Sequence, residues 1–252
     1  MRTVMLLGGV FLALSFASGS SRFSPYDNNG GLNCAIAGED YCILATSMEH
    51  ISNDIVVNQD PPSRITRLTP SCQILTAGCQ ADCTAIIDVL KKRVLQTEFD
   101  QSPMLTPTQL AQITSHTLYQ RRGFVYYSHV IVGGIGPSGK GCVWGYDSIG
   151  SFELGAVACN GDGSNLLQPI LDRVFLSGKE KIPTYLHRTN ENSLLPPVKT
   201  TVSELDPEKA IKCVISGFRS VANRQQGNVG LQKVKIVVLK KGGFIDEKVV
   251  NL

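Results

Sequence analysis

The spacing of apolar residues along this chain changes period four times, and those changes limit its fold more than any single motif does. Leu32–Ala37 and Tyr41–Thr46 are short β-type runs around the turn residues Gly38, Glu39 and Asp40, which predicts a hairpin. Ile55–Val57, Ile65–Leu68 and Cys72–Thr76 continue in the same style, punctuated by Pro61, Pro62 and Pro70. The period then becomes helical. Cys79, Cys83, Ile86, Leu90 and Val94 share one stripe, with Asp88, Lys91, Lys92 and Arg93 opposite, which predicts a helix over 80–96. A second helix opens where Thr106 offers an N-cap, Pro107 takes the first helical position and Gln109 completes a capping box; Leu110, Ile113, Thr117 and Leu118 face inward. From residue 127 the period is two again: Tyr127–Gly133, Gly141–Tyr146 and Ser151–Val157 predict three sequential strands, an antiparallel meander. Leu166–Leu176 reads as a short helix containing Pro169, and 177–203 as a long loop. Asp206 caps a last helix whose first turn Pro207 pre-sets and whose inner face is Ala210, Val214, Gly217, Phe218 and Val221. Val234, Ile236 and Val238 form one more strand, and a turn at 240–243 leads to a final one over 244–250. Runs of strands segregated from pairs of helices define an α+β protein. Two sheets with two helix pairs predict a four-layer αββα sandwich.

Length and composition bound the class. A chain of 252 residues that is 42% apolar and 18% charged suits one large domain with a sizeable core, and is neither disordered nor collagen-like. Its 24 Lys and Arg against 21 Asp and Glu give a net charge of +3 without a basic cluster, so no nucleic-acid partner is expected. Arg2, the apolar run Val4–Ala17 and the small residues after it have the shape of a secretory signal peptide, too short to span a bilayer. We therefore set residues 1–21 apart as a variable N-terminal extension, signal-like or propeptide-like, from a domain over 22–252, and expect no membrane partner. The eight cysteines are even in number, yet Cys79 and Cys83 lie on the helical stripe and Cys34, Cys42 and Cys213 sit in apolar runs. They read as small core hydrophobes, and no zinc-ligand spacing occurs.

Gly134, Gly136 and Gly139 spell GxGxxG after a strand, but a phosphate cradle needs a helix N-terminus next, and Gly141–Tyr146 reads as a strand; the stretch is a hairpin turn. No GxSxG elbow or HExxH helix is present, and His50, His116, His129 and His187 are scattered without carboxylate partners. Neither a metal nor a cofactor is expected.

A resemblance enters at Arg22–Gly31 and Ala35–Tyr41. It continues through Leu118–Arg122, Tyr126 and Tyr127, Ile131–Gly134, Gly139–Gly141, Tyr146 and Asp147, Ile149–Ser151 and Leu167–Asp172. In this order the segments resemble the proteasome β-subunits, closest to those at the sixth position of the β-ring, over about Arg22 to Val249. The resemblance implies an N-terminal-nucleophile hydrolase sandwich, built with other proteasome α and β subunits into stacked seven-membered rings in cytoplasm and nucleus. It also implies a role in ATP- and ubiquitin-dependent protein degradation by the complex.

Active members of that family use an N-terminal threonine, freed by autolysis after a glycine, with a lysine and aspartates handling protons. Aligned on Cys34 and Ala35, the nucleophile position falls on Gly31, which has no hydroxyl. The acid and base positions fall on Ser47, Arg64 and Gln225, and an arginine after the second strand falls on Glu49. A guanidinium stays charged and cannot act as a titrating amine. The expectation is a non-catalytic structural subunit without catalytic residues, uncut at Gly30–Gly31, with residues 177–203 and the tail after Phe244 as contact segments. Two rivals stay open: a hydrolase with a substitute nucleophile such as Ser47 or Ser164, and a secreted binding protein beginning near Ser18 to Ser20.

Overall fold

The computed structural model describes residues 26–52, 55–58, 63–100, 104–175, 205–224, 231–242 and 245–252. The N-terminal extension, the 177–203 segment, His187 and Gln225 lie outside them. The elements run β1 (Leu32–Ala37), β2 (Tyr41–Ser47), β3 (His50–Ser52), β4 (Ile55–Asn58), β5 (Ile65–Thr69), β6 (Cys72–Gly78), α1 (Gln80–Phe99), α2 (Pro107–Tyr119) and β7 (Ser128–Ile135). They continue with β8 (Gly141–Tyr146), β9 (Phe152–Gly155), β10 (Val157–Gly161), α3 (Ser164–Phe175), α4 (Pro207–Arg224), β11 (Lys233–Lys240) and β12 (Ile245–Asn251).

Two five-stranded antiparallel sheets stack face to face, in the orders β10-β1-β2-β11-β12 and β5-β6-β7-β8-β9. Alternation along each strand sends one set of side chains between the sheets and the other toward helices. Ala35, Leu44, Leu75, Ile131, Val143 and Val237 fill the space between the sheets. On the outer face of the first sheet Leu32, Ile36, Ile43 and Ile236 pack with Leu167 and Leu171 of α3 and Val214 and Phe218 of α4. On the outer face of the second, Ile74, Val132 and Trp144 pack with Ile86 and Leu90 of α1 and Leu110 and Leu118 of α2. This is the αββα sandwich. Burial on both faces is why β1, β2 and β6 are buried along their whole lengths. Each fully buried Leu or Ile contributes about 1.5–3 kcal/mol.

The local signals are met by local structure. Thr106 Oγ1 accepts from Gln109 N at 3.4 Å and Gln109 Oε1 accepts from Thr106 N at 2.9 Å, closing the capping box of α2. Asp206 Oδ2 accepts from Glu208 N at the start of α4. The GxGxxG segment is the β7–β8 turn, with Gly136 N donating to Lys140 O.

One expectation needs correction. Ser151–Val157 is not one strand: β9 pairs with β8 in the second sheet, the chain crosses at Ala156, and β10 pairs with β1 in the first. Extended backbone continues through the crossing, so hydropathy carries no mark of it. Both sheets draw strands from both the first and the second block of strands in the sequence. β5 and β6 leave the N-terminal block to pair with β7, while β2 pairs with β11 near the C-terminus.

Candidate functional site

The ends of β1, β2 and β10 and the start of β5 converge where the resemblance places a nucleophile. Gly31 immediately precedes β1, Ser47 ends β2, Arg64 precedes β5 and Asp162 follows β10. Gly31 is buried with φ of 109°, in the region that disfavours side chains, and a Cβ built on it would lie 2.8 Å from Arg64 Cζ and Nε. The guanidinium thus occupies the space beside the backbone where a threonine side chain would have to begin. It is itself buried, at 5% exposure. Arg64 Nη2 donates to Asn29 O at 2.6 Å and Nη1 donates to Ser47 O at 3.3 Å. Burial pulls Arg64 down from the usual arginine range, while Cys83, Glu49 and Asp162 oppose that shift; as a guanidinium it still carries its charge.

The chain upstream of Gly31 is woven into the same place. Asn29 N donates to Gly78 O and Gly78 N donates to Gly30 O, while Ile51 N donates to Asn29 O and Asn29 Nδ2 donates to Ile51 O. Asn29 Oδ1 accepts from Gln80 N at 2.7 Å, at the first residue of α1. Gly31 O accepts from Asp162 N at 2.9 Å, and Asp162 in turn accepts from Asn28 Nδ2. Backbone hydrogen bonds therefore tie Asn29 to Ile51 of β3 and Asn29 and Gly30 to Gly78 at the end of β6. The carbonyl of the Gly30–Gly31 peptide bond and the carbonyl of Gly31 are both hydrogen-bonded.

The remaining candidates have structural partners. Ser47 Oγ accepts from Leu32 N at 3.0 Å, tying the end of β2 to the start of β1, and its carbonyl accepts from Arg64, a donor and not a base. Glu49 Oε1 accepts from Gln232 N at 2.6 Å and Lys233 N at 3.2 Å, so its carboxylate anchors the start of β11, while Oε2 is buried without a hydrogen-bond partner. Ser164 opens α3. Among the described residues no three His, Cys, Asp or Glu side chains converge as a metal site, and no helix is long and apolar enough to cross a membrane.

The structure brings Gly31, Ser47 and Arg64 together. Asn29, Gly78 and Asp162 belong to the same place, although Asp162 reads in sequence only as a turn cap and Gly78 carries no signal. Only the run Asn28, Asn29, Gly30, Gly31 hinted that the backbone turns unusually before β1.

Residues 28–183 match the family of proteasome subunits. The chain belongs to that family. It is 33% identical over 230 residues to the proteasome subunit beta type-1 of Petunia hybrida, covering 90% of this chain and 95% of the relative. It is 34% identical over 229 residues to that of Arabidopsis thaliana, covering 90% and 95%. It is 28% identical over 232 residues to the type-1-B subunit of Carassius auratus, covering 90% and 87%.

Proposed function

We propose that this chain is a structural, non-catalytic β subunit of the 20S core proteasome, assembled with other α and β subunits into stacked seven-membered rings in cytoplasm and nucleus. There it contributes to the chamber wall. The observation that carries the non-catalytic reading is the Arg64 guanidinium set against a side-chain-less Gly31. Hydrolysis on this fold needs an attacking oxygen with a free amine beside it. Here the oxygen has no atom to sit on, its space holds a buried cation, and residues 28–31 are fastened at both neighbouring carbonyls.

Support for assembly comes from the surface and from the relatives, which are named as subunits. Ile55 and Val57 of β4 and Leu95 and Phe99 of α1 are more than half exposed, apolar surface of a kind that marks contacts between proteins. Epitope-tagged chain in cell extract should co-sediment with 20S particles. A covalent probe for threonine nucleophiles should leave it unlabelled, and its mature N-terminus should not be Gly31. Finding it only as a free polypeptide refutes the assembly role; probe labelling or a Gly31 N-terminus refutes the non-catalytic one.

A further inference from the structure

Two cysteines that the site does not use face each other across the β1–β10 ladder. Cys34 is the direct register partner of Cys159. The hydrogen bonds that bracket the ladder are Asp162 N to Gly31 O at one end and Ala37 N to Ala156 O at the other. Bonded and non-bonded pairs alternate between these ends, so Asn33 and Asn160 form a bonded pair and Cys34 and Cys159 a non-bonded one. Facing residues at a non-bonded site have Cα atoms about 4.5 Å apart, inside the range a disulfide spans. Both side chains point to the same side, toward the layer of α3 and α4. A hydrogen bond between the two thiols, together with burial, pushes Cys159 up from the usual cysteine range, with Asp172 of α3 adding to the shift.

The two thiols differ in access. Cys34 is wholly buried, whereas Cys159 is partly exposed and lines an open cleft of about 650 Å³ between the free edges of β9 and β10, with Gln168 and Asn160 beside it. A small disulfide can enter there and reach one sulfur while the other waits beneath it.

We propose that Cys34 and Cys159 form a redox-responsive pair that closes into a cross-strand disulfide by exchange with a low-molecular-weight disulfide. The thiolate of Cys159 attacks one sulfur of the small disulfide, forming a mixed disulfide and releasing one small thiolate, which takes up the proton Cys159 gave up. The thiolate of Cys34 then attacks the Cys159 sulfur, forming the intramolecular bond and releasing the second small thiolate with its proton. The protein loses two electrons and two protons, and the small disulfide gains them. The raised value of Cys159 keeps its thiolate fraction small, so exchange is slow near neutrality and speeds up with pH. The bond would fasten β10 to β1 three residues before Asp162, whose backbone N–H holds the carbonyl of Gly31. The inference is independent of whether the chain enters a ring.

The test uses natively folded full chain incubated with glutathione disulfide, alkylated, and digested without reduction. The expected product is a peptide carrying Cys34 joined to one carrying Cys159, about 2 Da lighter than the reduced pair. Cys34→Ala should leave Cys159 holding a stable glutathione adduct, and Cys34→Ser should repeat that result should the alanine variant fold poorly. Repeating the incubation in urea should cut the yield of this linkage to that of any other pair among the eight cysteines. Cys159 remaining reduced, a glutathione adduct on Cys159 that persists in the unmutated chain, or equal linkage in urea would each overturn the proposal.

Discussion

The interlock between Gly31 and Arg64 makes a quantitative prediction. Replacing Gly31 by Ala puts a Cβ 2.8 Å from the guanidinium and imposes a φ of 109° on a residue that disfavours it. The backbone strain alone costs about 1–3 kcal/mol. The tip of an arginine is flexible, so the clash could be relieved by swinging it away. Here Arg64 is 5% exposed and its tip donates to Asn29 O and Ser47 O. Hydrogen bonds from charged groups contribute about 1.5–3 kcal/mol each, so relief by movement gives up one or both. Gly31→Ala should therefore cost roughly 2.5–6 kcal/mol if one of these bonds is given up and roughly 4–9 kcal/mol if both are, but only the strain, about 1–3 kcal/mol, in an Arg64→Ala background. A double-mutant cycle read by urea denaturation of the purified chain, with equal m values across the four proteins, should give a coupling of about 2 kcal/mol or more. Coupling below about 0.5 kcal/mol would mean that Arg64 does not fill the space beside Gly31, and the steric argument would fail. The same obstacle meets a threonine, so Gly31→Thr should destabilise the chain without producing peptidase activity.

Gly161→Ala, at φ of 86°, directs its Cβ onto Gly31 O and should prevent stable folding, visible as loss of soluble protein, whereas Gly242→Ala, at φ of 92° in open space, should cost only the strain. Thr106→Ala removes the reciprocal capping of α2 and should cost about 1 kcal/mol in the same denaturation assay. Burial pushes the Cys142 thiol up from 9.0 to about 12. The native form then holds a proton that the unfolded chain releases, so this stabilisation is intact below pH 9 and is lost as pH rises toward about 12. Stability should fall by up to about 1.4 kcal/mol per pH unit from this thiol in that window, and Cys142→Ala should flatten the slope; an unchanged slope would contradict the burial argument.

Much of the local structure was legible in the sequence because local chemistry decides it. Thr106, Pro107 and Gln109 mark the start of α2 whatever surrounds them, and the stripe from Cys79 to Val94 turns inward because its helical spacing puts those apolar residues on one face. The inner face of α4 from Ala210 to Val221 was readable for the same reason. The break at Ala156 was not: both flanking strands are extended and apolar, and which sheet each joins depends on partners far away in the chain.

At the site, sequence by itself determined the absence that matters: a glycine has no atom with which to attack, and no folding can supply one. Tertiary structure decided what became of the space. Arg64, Asn29, Gly78 and Asp162 are separated by up to about 130 residues, and only the stacking of the two sheets brings their donors and carbonyls to Gly31. The facing of Cys34 and Cys159 has the same origin. It depends on strand register, which is fixed when whole sheets bury their apolar faces and which neither cysteine specifies alone.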